Sequence, residues 1–375
     1  MPICVAVIGA GSRAKTVVRN LIEESGGGAG VASVYDPDEA AATEALRVWG
    51  APEAIVARSA EAALHAEGVE WAMIFSPNAL HREHIVAAFE AHRHVFAEKP
   101  LATTIEDCVQ IQEAHRRSGR IFMTGFVLRY APLYREIKRL LQTGGFGPII
   151  SIAASENIPP AHGGYIMANW RRFTRLAGPH ILEKCCHDLD LINWFCEDLP
   201  RRVAAFGGLD VFTPANQDLF EKYGGEKTFL AWPDPHRAPS PFLSEKDIMD
   251  NLIGILEYRN GARVSFQATM CNPIPERRMY IACREGTIIG ELYRGLLQYA
   301  PLGGEPRTAQ FPGGGHGDGD RHLSQALWET MTRGTPPRCG AEEGLRSAVV
   351  ALALDEAARQ GRVIDLEPVW NRLGR

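Results

Sequence analysis

The sequence predicts an α/β protein in two parts: an N-terminal Rossmann domain on a doubly wound parallel sheet, then a C-terminal α/β domain with a largely antiparallel sheet. Three observations carry that prediction. An all-apolar strand, Ile3-Cys4-Val5-Ala6-Val7-Ile8, runs into Gly9-Ala10-Gly11-Ser12-Arg13-Ala14 and then a helix pattern. Strand and helix patterns alternate over the first third, which implies a parallel sheet. Beyond Gly125 strand patterns become common and pair through turn residues. The 375 residues suffice for two cores, and the boundary near Gly125 gives domains 1–125 and 126–375.

A strand buried in a parallel sheet reads as a continuous apolar run, as residues 3–8 do. Gly9, Gly11 and Ala14 hold the places of a G-x-G-x-x-A turn. The first allows a tight bend, the second lets backbone approach a pyrophosphate, and the small third residue packs helix on strand. Ser12 and Arg13 lie between them at a helix N-terminus that favours anions, and join them as candidate cofactor contacts. A helix over 16–24 breaks at Gly26-Gly27-Gly28, and a strand over 31–35 ends in Asp36. An acidic residue roughly twenty positions past the glycines grips the adenosine ribose hydroxyls and repels a 2'-phosphate, so NAD is expected over NADP. Asp38 suits the cap of a helix beginning near Glu39.

Next come a strand over 71–75, a helix over 80–91, a strand over 94–97, a helix over 103–118 and a strand over 121–124. Thr103 and Glu106 stand in a capping-box pattern. A helix over 132–142 is stopped by Gly144-Gly145. Residues 252–258, Asn260-Gly261 and 262–268 form a hairpin signal, with Ala262, Val264, Phe266 and Ala268 on one face. Strands over 279–283 and 287–292 and helices over 321–332 and 342–360 follow. The segment 210–250, with its proline-rich stretch 232–241, reads as irregular, and 313–319 as a flexible connector.

Hydrophobic residues make up 45% and charged residues 23%, a balance that suits a folded soluble protein. The net charge of −5, with signs interspersed, provides no basic stripe for nucleic acid and no polybasic membrane segment. A small-molecule partner is expected. No apolar run approaches the ~20 residues of a membrane span. Eight cysteines without paired spacing suit a reducing cytosol. Met1-Pro2 leads directly into the first strand, so no signal peptide is expected and the location is read as cytoplasmic.

Two further motifs carry chemistry. Glu98-Lys99-Pro100 falls at the carboxyl end of the strand 94–97, the edge where parallel sheets place ligands, and a lysine there can meet a nicotinamide. A solvated lysine paired with Glu98 fits the same letters. In the run Leu182 to Trp194, read as one helix, Glu183, His187 and Asp190 stand at i, i+4 and i+7 as a polar stripe, opposite Leu182, Cys186, Leu189 and Ile192. Acids flanking an imidazole can orient it and set its basicity, although a solvent-facing helix has similar spacing. Cys185, Cys186, His187 and Cys196 are not expected to bind zinc, because vicinal helical cysteines point apart and no second pair has ligand spacing. No metal is expected.

Together with Ser76-Pro77-Asn78, His81 and Asn169-Trp170-Arg171, these motifs occur in an order that resembles the glucose-fructose oxidoreductase and inositol dehydrogenase family (Gfo/Idh/MocA), over essentially the whole chain. The resemblance implies a C-terminal open sheet that mediates homodimers or homotetramers, and last helices that return to the Rossmann domain. It implies Lys99 beside the nicotinamide and the substrate hydroxyl, His187 as base or acid, and Asp190 as the second acid of a D-x-x-x-H-x-x-D helix. Glu183 stands where the first aspartate is usual. The proline after the lysine is often cis in that family. Asn169, Trp170 and Arg171 become candidate substrate contacts, and Ser76, Pro77, Asn78, His81 and Glu98 candidate lining of the cofactor cleft. Trp170 equally fits a core position, and Pro77-Asn78 a turn into the next helix.

The implied reaction is NAD-dependent hydride transfer at a carbinol of a sugar, inositol or related polyol. Neutral His187 takes the hydroxyl proton, Lys99 stabilises the developing alkoxide, and Glu183 and Asp190 orient the imidazole or grip neighbouring hydroxyls. The same residues are compatible with an NAD-retaining, glycoside-cleaving enzyme that uses transient oxidation, or with a non-catalytic NAD-binding sensor.

Overall fold

The computed structural model describes residues 2–143, 145–234 and 236–375. Met1, Gly144 of the helix stop and Pro235 of the proline-rich stretch lie outside the described residues. The chain forms two compact units. One joins the residues up to Ala131 with Asp318–Ala348, and the other joins Pro132–Gly317 with Val349–Arg375. The expected single boundary near Gly125 therefore becomes a division after Ala131, with a C-terminal segment added to the first unit.

In the first unit, strands and helices alternate: β1 (Ile3–Ile8), α1 (Ser12–Glu24), β2 (Ala29–Tyr35), α2 (Glu39–Trp49), β3 (Ile55–Val56), α3 (Ala60–Leu64), β4 (Val69–Ile74), α4 (His81–Glu90), β5 (His94–Ala97), α5 (Ile105–Ser118) and β6 (Phe122–Thr124). All strand pairs are parallel, in the order β3-β2-β1-β4-β5-β6. That is the doubly wound order with a reversal between β1 and β4. Asp38 caps α2 by accepting from the backbone N–H groups of Ala40 and Ala41. The α5 cap is Thr104 rather than Thr103: its hydroxyl accepts from the Asp107 N–H at 3.1 Å and donates to the Asp107 carboxylate at 2.9 Å. The capping pattern is thus one residue later than the sequence suggests, because Asp107 supplies the acid instead of Glu106.

The second unit contains α6 (Pro132–Gln142), β7 (Ile149–Asn157), α7 (Pro160–Ala168), α8 (Thr174–Ala177), α9 (His180–Glu183), α10 (Cys186–Cys196), β8 (Pro200–Gly208), α11 (Asp218–Lys222) and α12 (Glu226–Phe229). Six more strands follow: β9 (Asn251–Tyr258), β10 (Arg263–Thr269), β11 (Glu276–Cys283), β12 (Gly286–Glu291), β13 (Leu296–Pro301) and β14 (Arg307–Gln310). Helix α13 (Gly319–Arg333) belongs to the first unit, where it packs on α1. Helix α14 (Ala341–Gln360) contributes residues to both units, and β15 (Ile364–Asp365) and α15 (Glu367–Arg372) close the second. The sheet runs β14-β13-β12-β11-β7-β10-β9-β8-β15, and of its pairs only β7 with β10 is parallel.

Alternation explains the two faces of this sheet. Val264, Phe266 and Ala268 are buried on one side, as the hairpin pattern requires, and α10 packs against β7. On the other side Phe206, 79% exposed, stands opposite Ile253, and Ile255 and Tyr280 extend the apolar surface. The segment 210–250 is not wholly irregular. Its short helices fold around Phe212, Phe229 and Phe242, which are buried together with Ile158, Ile166, Met167, Ile248 and Met270.

Candidate functional site

In the first unit, three turns meet the carboxyl edge of the parallel sheet: residues 9–14 after β1, 76–78 after β4 and 98–100 after β5. Gly9 and Gly11 turn out to have different reasons to be glycine. Gly9 has φ of +95°, and a Cβ there would lie 2.7 Å from the Phe75 carbonyl carbon, so backbone packing demands glycine. At Gly11 an added Cβ would meet nothing within 4 Å. That space lies beside the first turn of α1, whose leading N–H groups lack intrahelical partners. Exposed Ser12 shares it, while Ala14 is fully buried in the helix-sheet packing. Asp36 Oδ2 accepts from the Ala10 N–H at 2.7 Å and Oδ1 from the Asp38 N–H at 2.9 Å, fixing the carboxylate at the glycine turn. An open cradle at a helix N-terminus with a fixed carboxylate fits a dinucleotide.

The other candidates of this unit brace the turns. Arg13 donates from Nε to Glu98 Oε1 at 2.6 Å and is ion-paired with Asp320 of α13. Burial opposes its charge, but the two carboxylates outweigh it and raise its pKa. Glu98 Oε2 also accepts from the Lys99 N–H at 3.1 Å, so Glu98 serves both the Arg13 guanidinium and the Lys99 backbone. Half-buried Lys99 precedes a cis peptide bond to Pro100. His81, placed by the sequence in the cleft lining, is instead 1% exposed, with ring nitrogens 2.8 Å from the Pro100 carbonyl oxygen and 3.0 Å from that of Ser76. It ties two turns together. Burial pushes its pKa down, against the pull of those carbonyls and of Glu98. The Ser76 hydroxyl lies 2.8 Å from His84 Nδ1, Pro77 precedes a 3-10 turn, and Asn78 is buried.

The second unit corrects the helix proposed for residues 182–194. Glu183 ends α9, Lys184 and Cys185 form a turn, and His187 and Asp190 lie on α10. The three do not share one helical stripe. Nor is there a solvent face, because every α10 residue except Trp194 is buried. The helix instead carries one member of a buried charge cluster. Arg277 donates to Asp188 through Nε at 2.9 Å and Nη2 at 2.6 Å, and Glu156 lies 2.6 Å from the same guanidinium. Lys184 Nζ stands 3.4 Å from Glu156, and the Tyr293 hydroxyl donates to it at 3.3 Å. Burial, and then Glu156, push the Asp188 carboxyl up to about 6 against the pull of Arg277. The His187 ring faces that of His316, with centroids 5.9 Å apart.

Arg171 links the remaining candidates. Its Nε donates to Glu183 Oε1 at 2.9 Å, its Nη1 to the Tyr165 hydroxyl at 3.1 Å, and its guanidinium lies 4.3 Å from the Trp170 ring centroid. Trp170 is therefore partly exposed and stacked on a cation rather than in the core. Asn169 is buried, with Oδ1 accepting from the Arg171 N–H at 2.8 Å and Nδ2 donating to Asp234 at 2.9 Å. It holds Arg171 in place. The sequence reading missed Asp188, Arg277, Glu156, Tyr165, Asp234 and His316. Asp188 adjoins His187 in the motif, a usable signal, whereas Arg277 and Asp234 carry no local pattern.

The first unit holds an anion cradle and a lysine along one sheet edge, and the second holds a buried imidazole with carboxylates, residue types able to bind a dinucleotide and to move a proton. Comparisons with known proteins show the family. Residues 3–126 match the model of the oxidoreductase family's NAD-binding Rossmann fold, and residues 138–366 that of its C-terminal alpha/beta domain. A putative oxidoreductase, YteT, of Bacillus subtilis is 24% identical over 77% of this chain and 79% of its own length. Inositol 2-dehydrogenase 3 of Saccharopolyspora erythraea is 32% identical over 53% of this chain and 55% of its own. The chain spans about half of that relative. A levoglucosan dehydrogenase solved with NADH and levoglucosan has the same fold, with a TM-score of 0.82 at 19% identity over 98% of this chain and all of that one. With both family domains matched in order, this chain belongs to the Gfo/Idh/MocA family of oxidoreductases.

Proposed function

We propose that the protein is an NAD-dependent oxidoreductase acting on a carbinol of a sugar, inositol or related polyol, with the first unit binding the cofactor and the second the substrate. The observation that carries this reading is the meeting of the Gly11 cradle, the Asp36 carboxylate and Lys99 along one edge of one parallel sheet. The named relatives, an inositol 2-dehydrogenase and a levoglucosan dehydrogenase among them, support the substrate class. A bound nicotinamide supplies the hydride acceptor.

The chain's own residues supply the rest. Gly11, Ser12 and the first turn of α1 hold the pyrophosphate, and Asp36 accepts from the ribose hydroxyls and disfavours NADP. His187 takes the carbinol proton, Lys99 stabilises the alkoxide as it forms, and Glu183, held by Arg171, accepts from a substrate hydroxyl. Asp190, on the same helix as His187, orients the imidazole or grips a neighbouring hydroxyl. The apolar sheet face of Phe206, Ile253, Ile255 and Tyr280 supports a homo-oligomer built on that sheet.

The test is NAD reduction followed optically by purified protein with myo-inositol, levoglucosan, D-glucose and D-sorbitol. Reduction with at least one supports the reading. Bond cleavage in a glycoside without net NAD consumption assigns the NAD-retaining alternative, and NAD binding with no chemistry assigns a sensor.

A further inference from the structure

The segment 210–250 carries a feature that the roles above leave unused. Residues 229–234 and 236–238 are pinned to α7 at Phe229 and at Ala238. At the near end the Phe229 carbonyl oxygen sits where a Cβ on Gly164 would be, 1.9 Å from that position, so close approach requires glycine there. At the far end the Ala238 N–H donates to the Ala168 carbonyl at 2.7 Å. Arg237 clamps the loop across itself, donating to the Leu230 carbonyl at 2.6 Å and to Glu226 at 2.9 Å. The aromatic core of Phe212, Phe229 and Phe242 lies beneath.

What this bracing holds out is an indole. Trp232 is 42% exposed, an unusual state for so large a ring, yet it is not loose. Its ring packs on two residues of α7, with centroids 4.4 Å from His162 and 5.4 Å from Tyr165. Tyr165 is the ring whose hydroxyl accepts from Arg171, and Arg171 holds Glu183. Asp234, two residues beyond Trp232, holds Asn169 at 2.9 Å. The loop is therefore wired at two points into the cluster assigned to substrate. An aromatic face has negative charge above its plane, and the C–H face of a saccharide or cyclitol ring carries partial positive charge. Arg171, Asp234 and the Tyr165 hydroxyl, joined to this loop by those contacts, are polar or charged groups suited to ring hydroxyls. A flat apolar platform beside convergent polar groups is how a site selects a ring over an open chain.

Resting on the oxidoreductase reading, we propose that Trp232 is a specificity-determining residue that stacks on the apolar face of the substrate ring and so sets the preference for a ring over an acyclic polyol. Stacking on a ring remote from the reacting bond contributes equally to ground and transition states, and therefore acts on KM.

The experiment compares wild type, Trp232→Ala and Trp232→Phe with myo-inositol, D-glucose, levoglucosan and D-sorbitol. For the cyclic compounds Trp232→Ala raises KM by about ten-fold, with kcat within about two-fold, and Trp232→Phe recovers part of the loss. An unchanged KM in Trp232→Ala, or D-sorbitol as the preferred substrate of the wild type, overturns the proposal while the oxidoreductase reading stands. If the wild type oxidises nothing in the panel, that reading fails, and saturation-transfer NMR of NAD-loaded protein with the same compounds decides the stacking. Saturation on one ring face that disappears in Trp232→Ala supports it. Equal saturation in both proteins, or none in either, overturns it.

Discussion

Arg277 grips Asp188 through two parallel hydrogen bonds, at 2.9 and 2.6 Å, in a place where neither side chain is more than 1% exposed. The pair anchors α10, the helix of His187, to β11 of the sheet beneath it. Glu156 of β7 shares the same guanidinium. Removing one member of such a cluster leaves charge in a low-dielectric interior and destabilises by about 3–5 kcal/mol.

Because Arg277 is shared by two carboxylates, the variants should rank. Arg277→Met is expected to be the more damaging, Asp188→Leu less so, and the double variant to lose less than the sum of the two. Chemical denaturation checks this. Equal and additive losses would contradict the shared-guanidinium arrangement.

The same cluster gives a pH dependence with a definite sign. Burial and Glu156 push the Asp188 carboxyl up to about 6. In that window the folded state binds a proton that the unfolded chain, with an ordinary carboxyl near ~3.9, releases. Asp188 therefore contributes stability at low pH that declines as pH rises from about 4 through about 6. The difference in unfolding free energy between wild type and Asp188→Asn should fall across that interval. A flat difference profile would remove Asp188 as its source.

The contrast between the two motif glycines yields a cleaner test of the cofactor site. Gly9→Ala is forced into φ of +95° and against the Phe75 backbone, so it is expected to lower the melting temperature as well as NAD affinity. Gly11→Ala meets open space, so it should keep the wild-type melting temperature without cofactor and lose NAD affinity by about ten-fold or more. Thermal denaturation and calorimetric titration separate the two. Unchanged NAD affinity in Gly11→Ala would contradict the cradle.

Asp36 is held to the glycine turn by the Ala10 N–H, which presents its carboxylate in one orientation. Asp36→Ala should weaken NAD binding by roughly 10–100-fold, the loss of charge-assisted hydrogen bonds, and narrow the preference over NADP. Side-by-side binding of the two cofactors checks it. A wild type that prefers NADP would overturn the role given to Asp36.

Local signals made the first unit legible. β5 runs from His94 to Ala97 as its apolar letters suggest, because buried parallel strands advertise themselves, and Asp38 caps α2 as its place before Glu39 implies. The second unit was harder for physical reasons. Its β7 and β8 alternate around small residues such as Ala153 and Ala205 and give a weak pattern. The break at Lys184-Cys185 has neither glycine nor proline to mark it, so Glu183, His187 and Asp190 read as one helical stripe. Asp188 was passed over because its partner, Arg277, lies 89 residues away, and only the fold joins them.

Under the proposed function, Lys99 and His187 carry chemistry instead of merely stabilising their own units. Single-turnover NAD reduction, with the best substrate of the panel, tests it in wild type, Lys99→Ala and His187→Asn, alongside NAD affinity for each. Hydride transfer is expected to slow by about 10²-fold or more in both variants while NAD affinity stays within about three-fold of wild type. Wild-type hydride transfer in either variant would contradict it.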